Sequence, residues 1–496
     1  MGKLITESVS KIMPTKRIFI SADHGLAIVY FLQSDVVSTL LDQGIEVVLL
    51  TDDALKEQVA SWFNRPGLTV EGLRFAQARA YEKSYKQDEQ WWLHFLRRVG
   101  SSNRINTEAM DSYVRQVAVE EPNRRRVWMP LARLAIAALR RSAGARRMLR
   151  ERQLRFTPHL YADLFEKYQP GLVVASTAGW RLDRYLLREA AQRGIKTAAV
   201  VVGWDNPSSY SLPGAPVDAI TCWSELQKQE LVQGSDWDPA RVNIGGIPSY
   251  DGYFRREWVM PREDYYRLHS LDPQRKLLAY AASFVSFSPN YRNVEALARL
   301  VNSDQLAQPS QLLVRLHPNH FMPGSLFEKE REDIRKLARE MPHVHVVEPV
   351  ALGGEMGHYS GEDMPEKASM MAYADVFLTV YSTMVVETSI YGRPIVAVCF
   401  DTPGGWNKPR KFSLPLSKIG EWPTHQRFRR SGSGRVALNG DELREAVNHY
   451  LVEPDAQRAE REQFIREEVT FTDGSAGRRT GLYLASLLDH AEEAKH

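Results

Sequence analysis

Apolar residues cluster in two spacings along this chain. Arg17-Ile18-Phe19-Ile20-Ser21 predicts a first buried strand and Asp23-His24-Gly25 a loop. Ile28 to Gln43 carries the three-and-four spacing of a helix and stops at Gly44, and Ile45 to Leu50 predicts a second buried strand before Asp52-Asp53. Strand, loop, helix and strand within about 35 residues form a βαβ unit, which requires a parallel sheet.

The pattern resumes after a gap. Gly171 to Ala175, Lys196 to Val202, Ala219 to Cys222 and Val242 to Ile244 predict strands, with a helix over Leu182 to Gln192. A polar link, Arg255 to Arg275, precedes a second series of strands: Lys276 to Ala281, Leu312 to Arg315, Val344 to Val347, Val376 to Thr379 and Ile395 to Val398. The expectation is α/β, two doubly wound Rossmann-like domains facing a cleft. Residues 1–257 form the first domain and 258–470 the second, and a helix in 471–496 packs back on the first. Residues of about 60–160 interrupt the first domain as a helical insert, in which Trp91, Trp92, Phe95 and Leu96 form one apolar cluster.

Composition narrows the class. The 496 residues are 43% hydrophobic and 25% charged, which excludes disordered, collagen-like and coiled-coil chains and is too long for one core. The net charge of +3 conceals an asymmetry: Arg124 to Arg155 holds 11 arginines against Glu151 alone, so this stretch is +10 and the remainder −7. It reads as an amphipathic helix pair on anionic lipid, as a groove for an acidic glycan, or as a solvated face whose arginine stems cover apolar surface. Pro130 and Gly144 interrupt any single helix there. No nucleic-acid recognition motif accompanies the charge, so no nucleic-acid partner is expected. The two cysteines, Cys222 and Cys399, lack metal or disulfide spacing. The amino-terminal residues lack the apolar run of a secretory signal, and no run approaches the roughly 18 apolar residues of a membrane span. The expected location is cytoplasmic, with the inner face of the membrane left open by the basic stretch.

The densest chemical signal is Val376-Phe377-Leu378-Thr379-Val380-Tyr381-Ser382-Thr383, then Met384 to Tyr391 and Gly392-Arg393-Pro394. A strand ends in two hydroxyl residues at a helix amino terminus, where free N–H groups and the helix dipole favour an anion. Glu387 follows Thr383 by one turn on the same face, where a carboxylate can accept two ribose hydroxyls. Ser382 alone would read as an ordinary cap. The second signal is Leu313-Val314-Arg315-Leu316-His317-Pro318, a strand ending in His-Pro where the crevice of a parallel sheet would lie, with His317 placed to donate to a phosphate. Neither domain carries GxGxxG after a strand, so a dinucleotide oxidoreductase is not expected.

With these residues in hand, the second half resembles GT-B glycosyltransferases, in particular the bacterial cell-surface-polysaccharide kind. It shares a His-Pro and a Ser-Ser/Ser-Thr motif with sialyl-, Kdo- and poly-glycerophosphate transferases. The resemblance implies that His317, Ser382 and Thr383 bind the donor's phosphates and that Glu387 matches the ribose-binding acid of the UDP-sugar branch. Further similarity lies in Gly203-Trp204-Asp205-Asn206, in Gly246-Ile247-Pro248-Ser249-Tyr250-Asp251 and in Thr472-Asp473-Gly474-Ser475-Ala476-Gly477. It covers most of the chain except about residues 60 to 155.

Many inverting members place a His or Asp in the loop after the first strand, which here is Asp23-His24-Gly25. His24 or Asp23 is then the base, with Asp23 alternatively orienting His24, and a turn that caps the next helix is the competing reading. Asp205, Asn206 and Trp204 lie on the expected acceptor side, where Trp204 and Trp180 would stack on a sugar or fill the core. Ser283 to Ser288 is placed like a phosphate-contacting loop. Arg393 supports the fold. The acidic loop of Glu362, Asp363 and Glu366 reads as solvated, with no metal and no cofactor beyond a nucleotide-sugar co-substrate. The function expected is transfer of a sugar from a nucleotide-activated donor, UDP-sugar favoured, to a glycan or lipid-linked acceptor in cell-surface polysaccharide synthesis, metal-independent and inverting. Alternatives are a nucleotide-activated polyol-phosphate transferase, a sugar-nucleotide 2-epimerase and, from another class, a non-catalytic glycan- or nucleotide-binding module.

Overall fold

The computed structural model describes residues 16–283, 290–303, 305–321, 324–350, 363–401 and 414–493. The first sheet comprises β1 (Arg17–Ser21), β2 (Glu46–Thr51), β3 (Leu68–Gly72), β4 (Leu172–Ala175), β5 (Lys196–Val200), β6 (Ala219–Cys222) and β7 (Val242–Ile244). Its order is β3-β2-β1-β4-β5-β6-β7, all parallel. The second comprises β8 (Lys276–Ala281), β9 (Ser310–Arg315), β10 (Val344–Val347), β11 (Val376–Thr379), β12 (Ile395–Val398) and β13 (Arg435–Ala437). Its order is β10-β9-β8-β11-β12-β13, again all parallel. The α/β expectation is met, with two doubly wound sheets.

The continuous apolar runs follow from this. A parallel sheet is covered on both faces, so successive residues such as Ile18, Phe19 and Ile20 are all fully buried. Each such side chain stabilises the fold by roughly 1.5–3 kcal/mol through transfer from water. In each sheet the strand order reverses once, between β1 and β4 and between β8 and β11. The crevice outside the carboxyl ends of a parallel sheet opens at that reversal. The loops after β1 and β4, and after β8 and β11, are therefore the places where ligand chemistry is expected.

Three local differences from the sequence reading have physical causes. The single helix expected over Ile28 to Gln43 is two, Gly25–Leu32 and Asp35–Asp42. Ser34 breaks it: its hydroxyl donates to the Tyr30 carbonyl at 2.5 Å and accepts from the Val36 N–H at 3.3 Å, starting a new helix. β3 lies at the head of the insert and was unexpected, because an edge strand with polar Thr69 and Glu71 lacks a continuous apolar run. β13 has three residues after a Ser-Gly-rich turn and carries little signal of its own. The remainder of the insert is helical. Trp91, Trp92, Phe95 and Leu96 join one apolar cluster, with Trp91 stacked on Phe95 at 5.4 Å between ring centres.

The chain returns to the first sheet at its far end. The helix Ala476–Glu493 packs along Asp35–Asp42. Both Asp251 carboxylate oxygens accept backbone N–H groups at its start, Ala476 at 3.0 Å and Gly477 at 2.7 Å. A Cβ at Gly477 would lie 2.7 Å from the Asp35 backbone nitrogen, so no larger residue fits this crossing. The motifs Gly246 to Asp251 and Thr472 to Gly477 are thus two halves of one clasp.

Candidate functional site

A cleft of about 210 Å³ opens between the two sheets. The first half contributes Leu26 and Val29 from the helix after β1, Gly203 after β5, and Tyr250 and Tyr253. The second half contributes Ala281 and Ala282 after β8, Arg315, His317 and Pro318 after β9, and Ser382, Thr383 and Glu387 after β11. His317, Ser382, Thr383 and Glu387, spread over about 70 residues of sequence, therefore line one space.

Ser382 and Thr383 precede the helix Met384–Ile390. The Ser382 hydroxyl accepts the Met384 N–H at 3.3 Å, so it caps this helix as well as lining the cleft. The Nδ1 of His317 accepts the Asn319 N–H at 3.1 Å. A neutral imidazole that accepts at Nδ1 carries its proton on Nε2, which makes it a donor. Glu387 is buried and pairs with Lys367 at 2.6 Å, and Tyr253 packs beside both. Lys367 sits on the helix Met364–Tyr373 and was not singled out in the sequence. A lone lysine in a helix carries no local signal of a cleft.

Arg315, on the cleft floor, pairs with Asp363 and Glu366. That corrects the reading of Asp363 and Glu366 as a solvated acidic loop: both are largely buried and hold a buried cation, as burial requires of paired charges. Glu362 lies outside the described residues. Arg393 is half-buried, and burial lowers the pKa of its guanidinium.

Ser283 does not line the cleft. It is buried, and its N–H and hydroxyl both donate to Asn290 Oδ1, at 2.8 and 3.4 Å. The rest of that predicted loop, residues 284–288, lies outside the described residues. Asp205, Asn206 and Trp204 do not line it either. Asn206 Oδ1 accepts the Gly203 N–H at 2.8 Å and so shapes the loop that does. A Cβ on Gly203 would sit 2.5 Å from Asn206 Nδ2. Asp205 begins the helix Asn206–Tyr210, and burial raises its carboxyl pKa. Trp204 is 1% exposed and donates Nε1–H to Glu468 at 2.7 Å, so its ring is core rather than a sugar platform. Trp180 is likewise buried.

Asp23 and His24 stand at the other strand reversal, after β1. His24 Nδ1 lies 2.6 Å from Asp23 Oδ1. The carboxylate also accepts Ser176 Oγ–H at 2.6 Å, from the loop after β4, and Arg181 Nε–H at 2.7 Å. Burial opposes ionisation of Asp23, but Arg181, His24 and Ser176 outweigh it and hold the carboxyl well below its usual range. An ionised Asp23 accepts the Nδ1 proton, which leaves the lone pair on Nε2. Burial, reinforced by Arg181 and opposed by Asp23, lowers the His24 pKa, so the imidazole is neutral at pH 7. Asp23 does not cap the following helix, whose first turn has no side-chain cap. Behind it Asp183 accepts from Thr177 Oγ1 at 2.6 Å, and burial followed by repulsion from Asp23 pushes its carboxyl to about 7.

The basic stretch divides into helices Asn123–Arg126, Met129–Arg141 and Ala143–Gln153. Several of its arginines stitch the insert together or to the body: Arg125 to Asp88 and Glu121, Arg140 to Asp111, Arg146 to Asp236 and Arg152 to Glu89. Part of the +10 is thus structural. Val127, Trp128, Leu131 and Leu134 are nevertheless 70%, 57%, 58% and 69% exposed, an apolar face among the remaining arginines.

No family model and no curated protein sequence matches the chain. Solved structures do. A candidate UDP-N-acetylglucosamine 2-epimerase from Listeria monocytogenes aligns over 97% of this chain and 98% of its own, with 11% identity and a TM-score of 0.53. MnaA of S. aureus, determined with UDP, aligns over 96% and 97%, with 12% identity and a TM-score of 0.51. A glycosyltransferase from Rickettsia africae aligns over 96% and 98%, with 9% identity and a TM-score of 0.50. At such identity the likeness is one of fold, and the fold is GT-B.

Proposed function

We propose that the protein is a nucleotide-sugar-dependent glycosyltransferase. The observation that carries this reading is the convergence of His317, Ser382, Thr383 and Glu387 on one cleft, which Leu26, two residues beyond the Asp23-held His24, also lines. Two hydroxyls, an imidazole N–H and the Lys367 ammonium supply donors and positive charge for a diphosphate, and Glu387 accepts from a ribose. The acceptor hydroxyl attacks the anomeric carbon as its proton passes to His24 Nε2. The new C–O bond forms as the bond from carbon to phosphate oxygen breaks, and its electron pair leaves with the nucleotide. Asp23 stabilises the imidazolium so formed.

The test begins with calorimetric titration of UDP, GDP and CDP. A uridine preference is expected, with Glu387→Ala weakening UDP at least tenfold; unchanged affinity rejects the ribose assignment. Incubation with UDP-sugars then separates the alternatives. A transferase releases UDP and forms a glycosidic product with an acceptor. A 2-epimerase interconverts the sugar without one. A binding module does neither.

We further propose that the acceptor is presented at an anionic membrane, on which the face of Val127, Trp128, Leu131 and Leu134 docks. Exposed apolar residues with a tryptophan among arginines complement anionic headgroups over an acyl layer. Flotation with phosphatidylcholine vesicles, with and without phosphatidylglycerol, checks it. Binding to the anionic vesicles alone, lost in Leu131→Glu/Leu134→Glu, is expected. Equal recovery of the double variant rejects the surface.

A further inference from the structure

A second cavity, of about 590 Å³, lies between the insert and the helix Arg184–Gln192. Its charged lining is one-sided. Arg79, Lys83, Arg125, Arg181, Arg184 and Arg188 line it with a single carboxylate, Glu82. That carboxylate is already engaged by Arg184 and the Tyr185 hydroxyl. Arg188 is fully buried, and the acceptors that hold it are neutral: the Gly214 and Phe156 carbonyls at 2.9 and 2.8 Å and Gln153 Oε1 at 3.4 Å. Two further donors in the lining, Gln153 Nε2–H and Trp180 Nε1–H, have no partner among the described residues. His94 also lines the cavity, and burial with the charges of Arg97, Arg98 and Arg188 holds it well below its usual pKa. Arg125 and Arg181 have carboxylate partners outside the lining, Asp88 with Glu121 and Asp23, but the buried Arg188 guanidinium faces neutral acceptors and stands with two partnerless donors, a set that suits a group which only accepts hydrogen bonds and carries negative charge.

The position of this cavity gives it a role. Arg181 lines it and also donates to Asp23, which holds His24. Leu26, two residues beyond His24, lines the donor cleft. The base loop therefore stands between the two cavities. We propose that this cavity binds an oxyanion on the acceptor, phosphate or carboxylate, and so brings the acceptor's hydroxyl to His24. Trp91 and Phe156 in its wall provide aromatic surface for the sugar or polyol that carries the oxyanion. The proposal rests on the transferase reading for its role, but not for the existence of the anion site.

The experiment titrates the full chain with inorganic phosphate and, separately, with glucuronate, following tryptophan fluorescence from Trp91 and Trp180. Each titration is repeated at saturating UDP. A saturable response that persists with UDP bound is expected for one of the two probes. The probe that binds tells whether the acceptor's group is a phosphate or a carboxylate. Arg79→Gln/Lys83→Gln should raise that probe's Kd about tenfold and flatten its dependence on salt, with the UDP Kd unchanged. Lys83→Gln alone, at an exposed position, should raise it about threefold if the double variant does not fold. The proposal is overturned if neither probe binds, if UDP abolishes the response and so places the probe in the donor cleft, or if Kd is the same in the variants. Probe binding without any UDP binding would reject the donor assignment and leave the anion site standing.

Discussion

Asp23→Asn keeps the shape of the side chain and removes one acceptor, and the proposed role of His24 as base sets what should follow. Three donors converge on two oxygens: His24 Nδ1–H and Ser176 Oγ–H on Oδ1, Arg181 Nε–H on Oδ2. An asparagine has one oxygen and one amide. If the oxygen serves His24 and Ser176, the amide N–H groups confront the Arg181 guanidinium, and its ion pair with the buried Asp23 is lost. If the oxygen serves Arg181, the amide faces His24 and must donate to Nδ1, which moves the imidazole proton to Nε2 and abolishes the base. The first arrangement costs about 3–5 kcal/mol of stability, the usual consequence of breaking a buried ion pair. The second removes general-base catalysis, a factor of about 10² to 10⁴ in rate. The assay is UDP release from a UDP-sugar at saturating donor and acceptor, beside calorimetric unfolding of both proteins. The expected result is a kcat loss of at least about 10² with either orientation, because even the first loses the charge that stabilises the imidazolium. A folded Asp23→Asn enzyme with more than half the wild-type kcat would falsify the dyad as the base.

The remaining predictions concern the clasp, the cleft pair and pH. Asp251→Ala strands the Ala476 and Gly477 N–H groups in a buried crossing, and at about 1–3 kcal/mol each the loss is about 2–6 kcal/mol, read as a lower urea midpoint. Lys367→Met leaves Glu387 buried without its cation, so it should destabilise the protein by about 3–5 kcal/mol and weaken UDP binding, whereas Lys367→Met/Glu387→Gln should recover most of the stability but not the affinity. Since burial holds His24 below its ordinary pKa of about 6.5, the acid limb of kcat/KM should be centred below pH 6.5, where the imidazole gains its proton. An acid limb centred above pH 6.5 would place the base elsewhere. Because the folded pKa of Asp251 is raised to about 6, its share of stability is present at low pH and lost as pH rises from about 4 through 6, and Asp251→Asn should flatten that slope in urea titrations.

What the sequence made legible was local. Runs such as Ile18 to Ile20 and Val376 to Thr379 announce strands buried on both faces, because that burial is a property of each segment alone. The cleft residues were legible for a related reason: Ser382-Thr383 and His317-Pro318 stand at strand ends, and strand ends of a parallel sheet open on one edge. Between the two readings of Trp204, sugar platform or core, the sequence could not decide, because nothing nearby announces Glu468, its partner 264 residues away. Arg315 with Asp363 and Glu366, Lys367 with Glu387, and the six cations of the second cavity were equally invisible. A charged residue reads as solvated until the fold supplies its counterion. Edge strands β3 and β13 escaped because half-exposed backbone needs no apolar run.

The clasp has a consequence for biosynthesis. The helix that covers Asp35–Asp42 is synthesised more than 230 residues after β7, the last strand of the sheet it completes. Until then, apolar positions such as Val36 and Leu40 have no cover from Leu484 and Leu488. At roughly 5–20 residues per second, that first sheet waits tens of seconds with an open flank while the second is made. Folding in strict order of synthesis is therefore closed to this chain, and a nascent chain lacking only its last helix is the species a chaperone would be expected to hold.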